Sequence, residues 1–191
     1  MGFSIDAKAF TDLRNKLKAI DEQRELVIAT SRELIKATKQ AIYALHRGES
    51  ADLLMKELQT KAKKLADQAK HDPSLEFSGP TKAGFQEYVE ACLFYAFINN
   101  KPFPTPTSLN VHPEFFLLGV CDFSGELVRA AINGAINHKF AKAAKIRLFV
   151  EELYGELLKF DFRNGELRKK FDAIKYGLEK LEDLALKIKL K

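Results

Sequence analysis

The sequence predicts an all-α protein, a single-domain bundle of about six to seven helices that begins with a long N-terminal helix. Three observations favour this class. Apolar residues before Gly48 recur at alternating steps of four and three, no stretch shows the strict apolar–polar alternation of a strand, and prolines and glycines fall between the apolar segments. At 191 residues the chain is long enough for one substantial core, so we expect a single domain over 1–191.

The first helix carries the clearest periodicity. Ser4 or Asp6 can cap it, and we expect it to run to about His46 and to stop at Gly48. Its seam consists of two interleaved series, a wholly apolar one of Leu13, Ile20, Val27, Leu34 and Ala41, and a mixed one of Leu17, Arg24, Ser31, Thr38 and Leu45. Because this spacing is that of a coiled coil or bundle, the seam is predicted to pack against other helices.

The later elements follow from prolines, glycines and capping residues. Their expected bounds are, in order, a helix from a Ser50 cap to about Lys70, a loop over 71–80, a helix from Thr81 to about Asn99, a non-helical proline-rich stretch over 100–108, a helix from Pro113 to Ile136, and two helices over about 140–159 and 164–188. Proline suits a first helical turn, where its missing N–H would have no partner anyway.

Two pairs of carboxylates give the main functional signal. Glu87 and Glu90 lie three residues apart on one predicted helix, and Asp122 and Glu126 lie four apart on another. Residues at these spacings share one helix face. Like charges placed so close repel each other unless a cation offsets them, and oxygen ligands suit Mg²⁺ or Mn²⁺. A divalent-metal site is therefore the leading hypothesis.

The helix that carries the second pair is apolar on nearly every side, which predicts burial between other helices. One narrow stripe interrupts it, formed by Asp122, Glu126, Arg129 and Asn133. Gly119 at the head of this stripe lets another backbone or a ligand approach closely. Two interpretations remain open: the stripe performs chemistry, or Arg129 and Glu126 form an internal ion pair that fixes the register of the helix.

Charge and composition restrict the class of protein. Hydrophobic residues make up 46% and charged residues 30%, which excludes a disordered chain. The net charge is +5, with basic terminal segments around an acidic middle. This distribution fits a binder of polyanions, although many soluble proteins are mildly basic for other reasons.

The chain is expected to reside in the cytoplasm. No apolar run reaches the ~20 residues that a membrane span needs, so no membrane partner is expected, and the N-terminus lacks the pattern of a signal peptide. Cys92 and Cys121 lie in apolar helical segments. Buried free thiols in a reducing compartment are the favoured interpretation over a disulfide or a metal site.

Other kinds of site lack their signatures. The four histidines show no ligand spacing, which argues against zinc. The chain has no nucleophile elbow and no Gly-rich phosphate loop. A di-iron bundle needs a Glu-x-x-His motif, and neither Glu87 nor Glu90 belongs to one.

Two segments resemble one known family. The string Leu117–Asn133, with Ser124-Gly-Glu-Leu-Val-Arg129 at its centre, is similar to the Ser-Gly-Glu-Leu-x-Arg segment of the translin family. The string Asn164–Glu182, with Leu167-Arg-Lys-Lys-Phe-Asp172, is similar to the C-terminal helix of that family. The order of elements between them also matches, so the resemblance covers nearly the whole chain.

The resemblance implies a function. The family comprises translin, which binds single-stranded nucleic acid, and its catalytic partner, translin-associated factor X (TRAX), and together they form hollow oligomers that hold RNA inside. In TRAX-like members the endoribonuclease site consists of two Glu from one helix and an Asp and a Glu from another, with Mg²⁺. Those positions correspond to Glu87, Glu90, Asp122 and Glu126.

The chain thus resembles a TRAX-like member. The basic–aromatic stretch of translin has no good counterpart in residues 84–90, and the small size is typical of an archaeal-type version that needs no separate translin subunit. The implied function is a Mg²⁺-dependent endoribonuclease, with Mn²⁺ as a substitute, that cleaves RNA, preferably single-stranded, inside a barrel-like homo-oligomer such as an octamer. The alternative is a non-catalytic, translin-like protein that binds single-stranded nucleic acid.

Basic residues supply further candidates. Arg129 could pair with a phosphate or orient Glu126, and the second role is slightly favoured. Four residues of the first helix could line the path of the RNA, namely Arg14, Lys18, Arg32 and Lys36. A solvated helix face has the same appearance in a sequence.

Overall fold

A computed structural model describes residues 5–189, and within that range the regular structure is helical throughout. The helices are α1 Ala7–Arg47, α2 Asp52–Ala69, α3 Pro73–Glu76, α4 Gly79–Ile98, α5 Pro106–Leu109, α6 Pro113–Ile136, α7 Phe140–Leu157 and α8 Glu166–Lys189. The predicted all-α class and the long N-terminal helix are confirmed. Six of the helices are long, and α3 and α5 are single turns.

The first helix begins and ends as its sequence predicts. The carboxylate of Asp6 accepts a hydrogen bond from the amide of Ala9, and Gly48 ends the helix with a φ of 75°. Glycine tolerates this left-handed conformation because it has no Cβ. The other candidate cap, Ser4, lies outside the described residues.

The seam of α1 is buried only over its C-terminal half. From Val27 onward every predicted seam residue is buried, whereas Leu13 and Leu17 are 53% and 60% exposed. The helix therefore extends beyond the bundle, and the apolar seam continues along the extension.

Two predicted loops contain short helices, so the sequence-based bounds were wrong there. Residues 71–80 include α3, whose first turn is capped by the Asp72 side chain, and α4 starts at a Ser78 cap before Thr81. The stretch 100–108 runs into α5, where Thr105 and Ser108 form a reciprocal capping box. In both places a capping side chain and a proline in the first turn stabilise a helix too short to show periodicity.

The second helix also differs slightly at its start. Ser50 accepts a hydrogen bond from the amide of Asp52, but Ala51 occupies the N-cap position, and the helix ends at Ala69.

The core forms around α4 and α6. Helix α4 packs against α1, α2 and α6, and α6 also packs against α7 and α8. Phe94 of α4 and Phe123 of α6 are completely buried, as are Leu34 of α1, Leu58 of α2 and Ile146 of α7. The two acid-bearing helices are therefore adjacent at the centre of the bundle.

Candidate functional site

A glycine lets α4 and α6 approach closely. A Cβ on Gly119 would lie 2.7 Å from the backbone oxygen of Gln86 and 2.6 Å from the Cβ of Val89. The close approach predicted at Gly119 is thus confirmed, and the helix that approaches it is α4. One turn further along, it brings the carboxylates of the two helices to the same region.

All four predicted carboxylates line one cavity of about 470 Å³. They are Glu87 and Glu90 of α4 and Asp122 and Glu126 of α6. Helix α8 forms the opposite wall with Lys170, Ala173, Ile174 and Gly177. Gly125 also lines the cavity, and a Cβ there would meet nothing within 4 Å, which leaves the wall of α6 open.

Glu90 is the most unusual of the four. It is only 8% exposed and forms no hydrogen bond or ion pair with any residue between 5 and 189. Burial raises the pKa of its carboxyl to about 8, and the nearby Glu87, Asp122 and Glu126 contribute in the same direction. Burial likewise raises the pKa of half-buried Glu87, against the effect of Lys39. A buried carboxyl without a partner is costly when ionised, and a cation would offset that cost.

The two carboxylates of α6 have partners from other helices. Asp122 accepts from the amide of Gln86 through Oδ2 and from the Lys170 ammonium through Oδ1, at 2.6 Å for the latter. The Oε2 of Glu126 contacts Nε2 of His46, and the Arg129 guanidinium lies 3.6 Å from the same oxygen. The other oxygen of Glu126, Oε1, forms no hydrogen bond or ion pair with residues 5–189.

The donor set suits a hard divalent cation by its chemistry, since four carboxylates from two adjacent helices face one cavity. As the side chains stand, no group of three or more His, Cys, Asp or Glu is arranged to hold a metal ion in the part of the chain that the structure describes. Ligation would require the side chains to close on the ion, next to the ammonium of Lys170 on Asp122.

The polar stripe of α6 becomes more exposed toward the C-terminal end of the helix. Asp122 and Glu126 are half-buried, but Arg129 and Asn133 are exposed. The side chain of Arg129 is 44% exposed and its guanidinium lies over the ring of Tyr43, 5.1 Å from the centroid. The Arg129–Glu126 pair exists at the edge of the cavity, not in the core.

The basic residues predicted on α1 lie outside the cavity. Arg14 and Lys18 are exposed on the extended half of the helix, where Arg14 donates to Thr11 and Lys18 lies 4.0 Å from Glu22. Arg32 and Lys36 are exposed further along the helix. None of them lines the wall that the four carboxylates share.

Three polar residues of the site were missed by sequence analysis. Lys170 and His46 lie 48 and 80 residues from the carboxylates that they contact, and no local pattern predicts such pairs. Gln86, however, lies four residues before Glu90 on the same face of α4, so the spacing rule that found the acids could have found it.

The two cysteines are free and buried, as predicted. Burial raises the pKa of each thiol to about 12, so neither is a reactive thiolate at neutral pH. Among the helices described, none is long and apolar enough to cross a membrane.

The protein is thus an all-α bundle with four carboxylates in a cavity beside its two central helices. Comparison with known proteins identifies its family. The chain belongs to the translin family, whose family model matches residues 22–191. An uncharacterized protein of Methanocaldococcus jannaschii is 30% identical over 174 residues, which cover 88% of this chain and 77% of that protein. Translin-associated protein X of Pongo abelii is 27% identical over an alignment that covers 96% of this chain and 78% of that protein.

A solved structure of the same kind superposes closely. The structure of AfC3PO with duplex RNA has a TM-score of 0.87 and 26% identity, and the match covers 95% of this chain and 97% of that one. The family predicted from the two sequence segments, and its likeness to translin-associated protein X, are therefore confirmed.

Proposed function

We propose that this protein is a metal-dependent endoribonuclease whose active site is the cavity between α4, α6 and α8. The single observation that carries the proposal is the convergence of four carboxylates on that cavity, where Glu90 is buried and has no hydrogen-bond or ion-pair partner among residues 5–189. Such an arrangement is unfavourable for the fold alone, because it desolvates like charges. Perturbed carboxyls in a cavity are typical of a functional site.

The residues have distinct roles in this proposal. Glu87, Glu90, Asp122 and Glu126 would hold Mg²⁺ or Mn²⁺, which when bound activates a water and neutralises charge on the scissile phosphate. Gln86 orients Asp122 by hydrogen bonding. His46 and Arg129 both hold Oε2 of Glu126, which leaves Oε1 available as a ligand. This geometry supports the orienting role of Arg129.

RNA is the substrate class that the comparisons favour. The structural relative AfC3PO was solved with duplex RNA, and the net charge of +5 suits a polyanion. Carboxylates alone repel phosphates, so a cation between them is needed. Arg14, Lys18, Arg32 and Lys36 are exposed and could contact RNA outside the cavity. The preference for single strands is a prediction from the family resemblance only.

A homo-oligomer is part of the proposal. The exposed half of α1 carries Phe10, Leu13 and Leu17 in the line of its buried seam, and all three are more than half exposed. Exposed apolar seams of this kind usually mark contacts between chains. We expect copies of this chain to form a barrel-like assembly, such as an octamer, without a separate translin subunit. A cytoplasmic location is also proposed, since buried free thiols suit a reducing compartment.

The test is a cleavage assay on two labelled RNAs of the same sequence, one single-stranded and one duplex, with Mg²⁺, Mn²⁺ or EDTA. The proposal expects internal cleavage with either metal and none in EDTA. Binding of both RNAs without cleavage under any condition would contradict it and support the alternative, a non-catalytic protein that binds nucleic acid.

A further inference from the structure

Among the described residues that line the cavity, one is cationic, Lys170 of α8. Its ammonium lies 2.6 Å from Oδ1 of Asp122, and its side chain is 28% exposed. The second oxygen of Asp122 accepts from Gln86. Both oxygens of this carboxylate are therefore engaged, and the positive charge of Lys170 opposes a divalent cation at the same carboxylate.

The packing of α8 on α6 does not depend on this ion pair. Phe171, Ile174 and Leu178 of α8 are buried, and Gly177 lies so close to α6 that an added Cβ would be 3.1 Å from a methyl carbon of Val128. A partly exposed ion pair adds little to such an apolar contact. Lys170 instead places a positive charge among the carboxylates of the cavity.

A lysine is suited to move between two anionic partners. Its ammonium is a compact charge on a flexible chain of four carbons, with three donors that can rotate. An ammonium displaced from Asp122 would remain in the cavity wall, beside the carboxylates. With the carboxylates engaged by the cation, an RNA phosphate that enters the cavity is an anion that can receive this ammonium.

We propose that Lys170 competes with the divalent cation for Asp122 and, once displaced, binds the phosphate of the RNA in the cavity. This inference rests on the proposed nuclease function and adds a second role to the site. Removal of the Lys170 ammonium should therefore have two effects: the affinity for the metal ion rises, and the rate of RNA cleavage falls.

The test uses the full-length chain and Mn²⁺, whose free concentration can be followed by electron paramagnetic resonance. Lys170→Met should bind Mn²⁺ roughly tenfold more tightly than wild type, the order expected when one nearby competing charge is removed. The same variant should cleave RNA at least about tenfold more slowly at saturating Mn²⁺. Lys169→Met, which removes an exposed charge from the adjacent position of α8, should leave Mn²⁺ affinity unchanged.

A second variant separates charge from hydrogen bonding. Lys170→Gln keeps a donor for Asp122 and removes the charge, so it should behave as Lys170→Met does, and circular dichroism melts show whether both fold. If both variants bind Mn²⁺ as wild type does, or more weakly, the competition is refuted. Tighter Mn²⁺ binding with unchanged cleavage refutes the phosphate contact. If wild type neither binds Mn²⁺ nor cleaves RNA, the proposed function fails, and this inference fails with it.

Discussion

The imidazole of His46, at the end of α1, contacts the carboxylate of Glu126 in the middle of α6. The imidazole is 7% exposed and lies against the ring of Phe94, with centroids 4.7 Å apart. The contact therefore ties the N-terminal helix to one of the four carboxylates of the cavity.

Replacing His46 with Phe should destabilise the protein. The aromatic ring can still pack against Phe94, but Oε2 of Glu126 loses its closest partner, and the loss of one hydrogen bond at a half-buried carboxylate costs about 0.5–1.5 kcal/mol. Urea unfolding measures the difference in the free energy of unfolding. His71→Phe, at an exposed position, is the matched control and should leave it unchanged. Equal midpoints for all three proteins would show that the contact contributes nothing to stability.

A second prediction compares Gly119 and Gly125 of α6. Gly119→Ala should destabilise the fold by about 1–3 kcal/mol, because the new methyl group overlaps the backbone of Gln86 and the side chain of Val89. Gly125→Ala meets nothing within 4 Å and should stabilise the helix by up to about 1 kcal/mol. Thermal melts of the two variants give the comparison. A Gly119→Ala protein as stable as wild type would mean that α4 and α6 are not in close contact at Gly119.

The third prediction is a pH dependence that originates at Glu90. Its pKa in the folded protein is about 8, above the ordinary value of 4.5. Between these values the unfolded chain loses this proton while the folded chain keeps it, so stability falls as pH rises from about 4.5 to about 8 and then levels off. The loss should amount to a few kcal/mol.

Urea unfolding in EDTA across this pH range checks the prediction. Glu90→Gln cannot titrate, so its stability should fall less than that of wild type over the same range. Parallel pH profiles for the two proteins would show that Glu90 has an ordinary pKa. The difference between the profiles isolates Glu90 from the other carboxyls, including Glu87, whose pKa burial also raises.

The fourth prediction concerns assembly. Leu13→Lys combined with Leu17→Lys places two charges on the exposed seam of α1 and should convert the oligomer to smaller species without unfolding the bundle. Analytical ultracentrifugation at micromolar concentration measures the result. Leu53→Lys, an 80% exposed position away from the seam, should leave the assembly intact. Wild type that sediments as a monomer would refute the proposed oligomer.

Sequence patterns predicted the long helices correctly, but not the two short helices or the exposed half of α1. The long helices were found because a buried face repeats every three to four residues, as from Val27 to Leu45. The single turns α3 and α5 are too short to show such a repeat. The exposure of Leu13 and Leu17 was not foreseen, because a seam shows that a helix packs but not whether the partner lies in the same chain.

For the candidate site as well, the sequence predicted some features and not others. The acid pairs were found because each lies within one helical turn, and their place on adjacent helices was inferred from the family. The contacts of Lys170 and His46 depend on how α8 and α1 cross α6, which no local pattern encodes. The exposure of Arg129 likewise depends on which face of α6 its neighbours leave uncovered.

The rate of metal-dependent RNA cleavage by Glu87→Gln decides whether the four carboxylates form a nuclease site. Glu87 is half-buried in the cavity wall and has no hydrogen-bond partner among residues 5–189, so the substitution should leave folding unchanged. We expect a loss of at least about a hundredfold in Mg²⁺-dependent cleavage, with RNA binding retained. Glu179→Gln, at an exposed position of α8, should be as active as wild type. A folded Glu87→Gln protein that cleaves RNA at the wild-type rate would show that this cavity is not the active site.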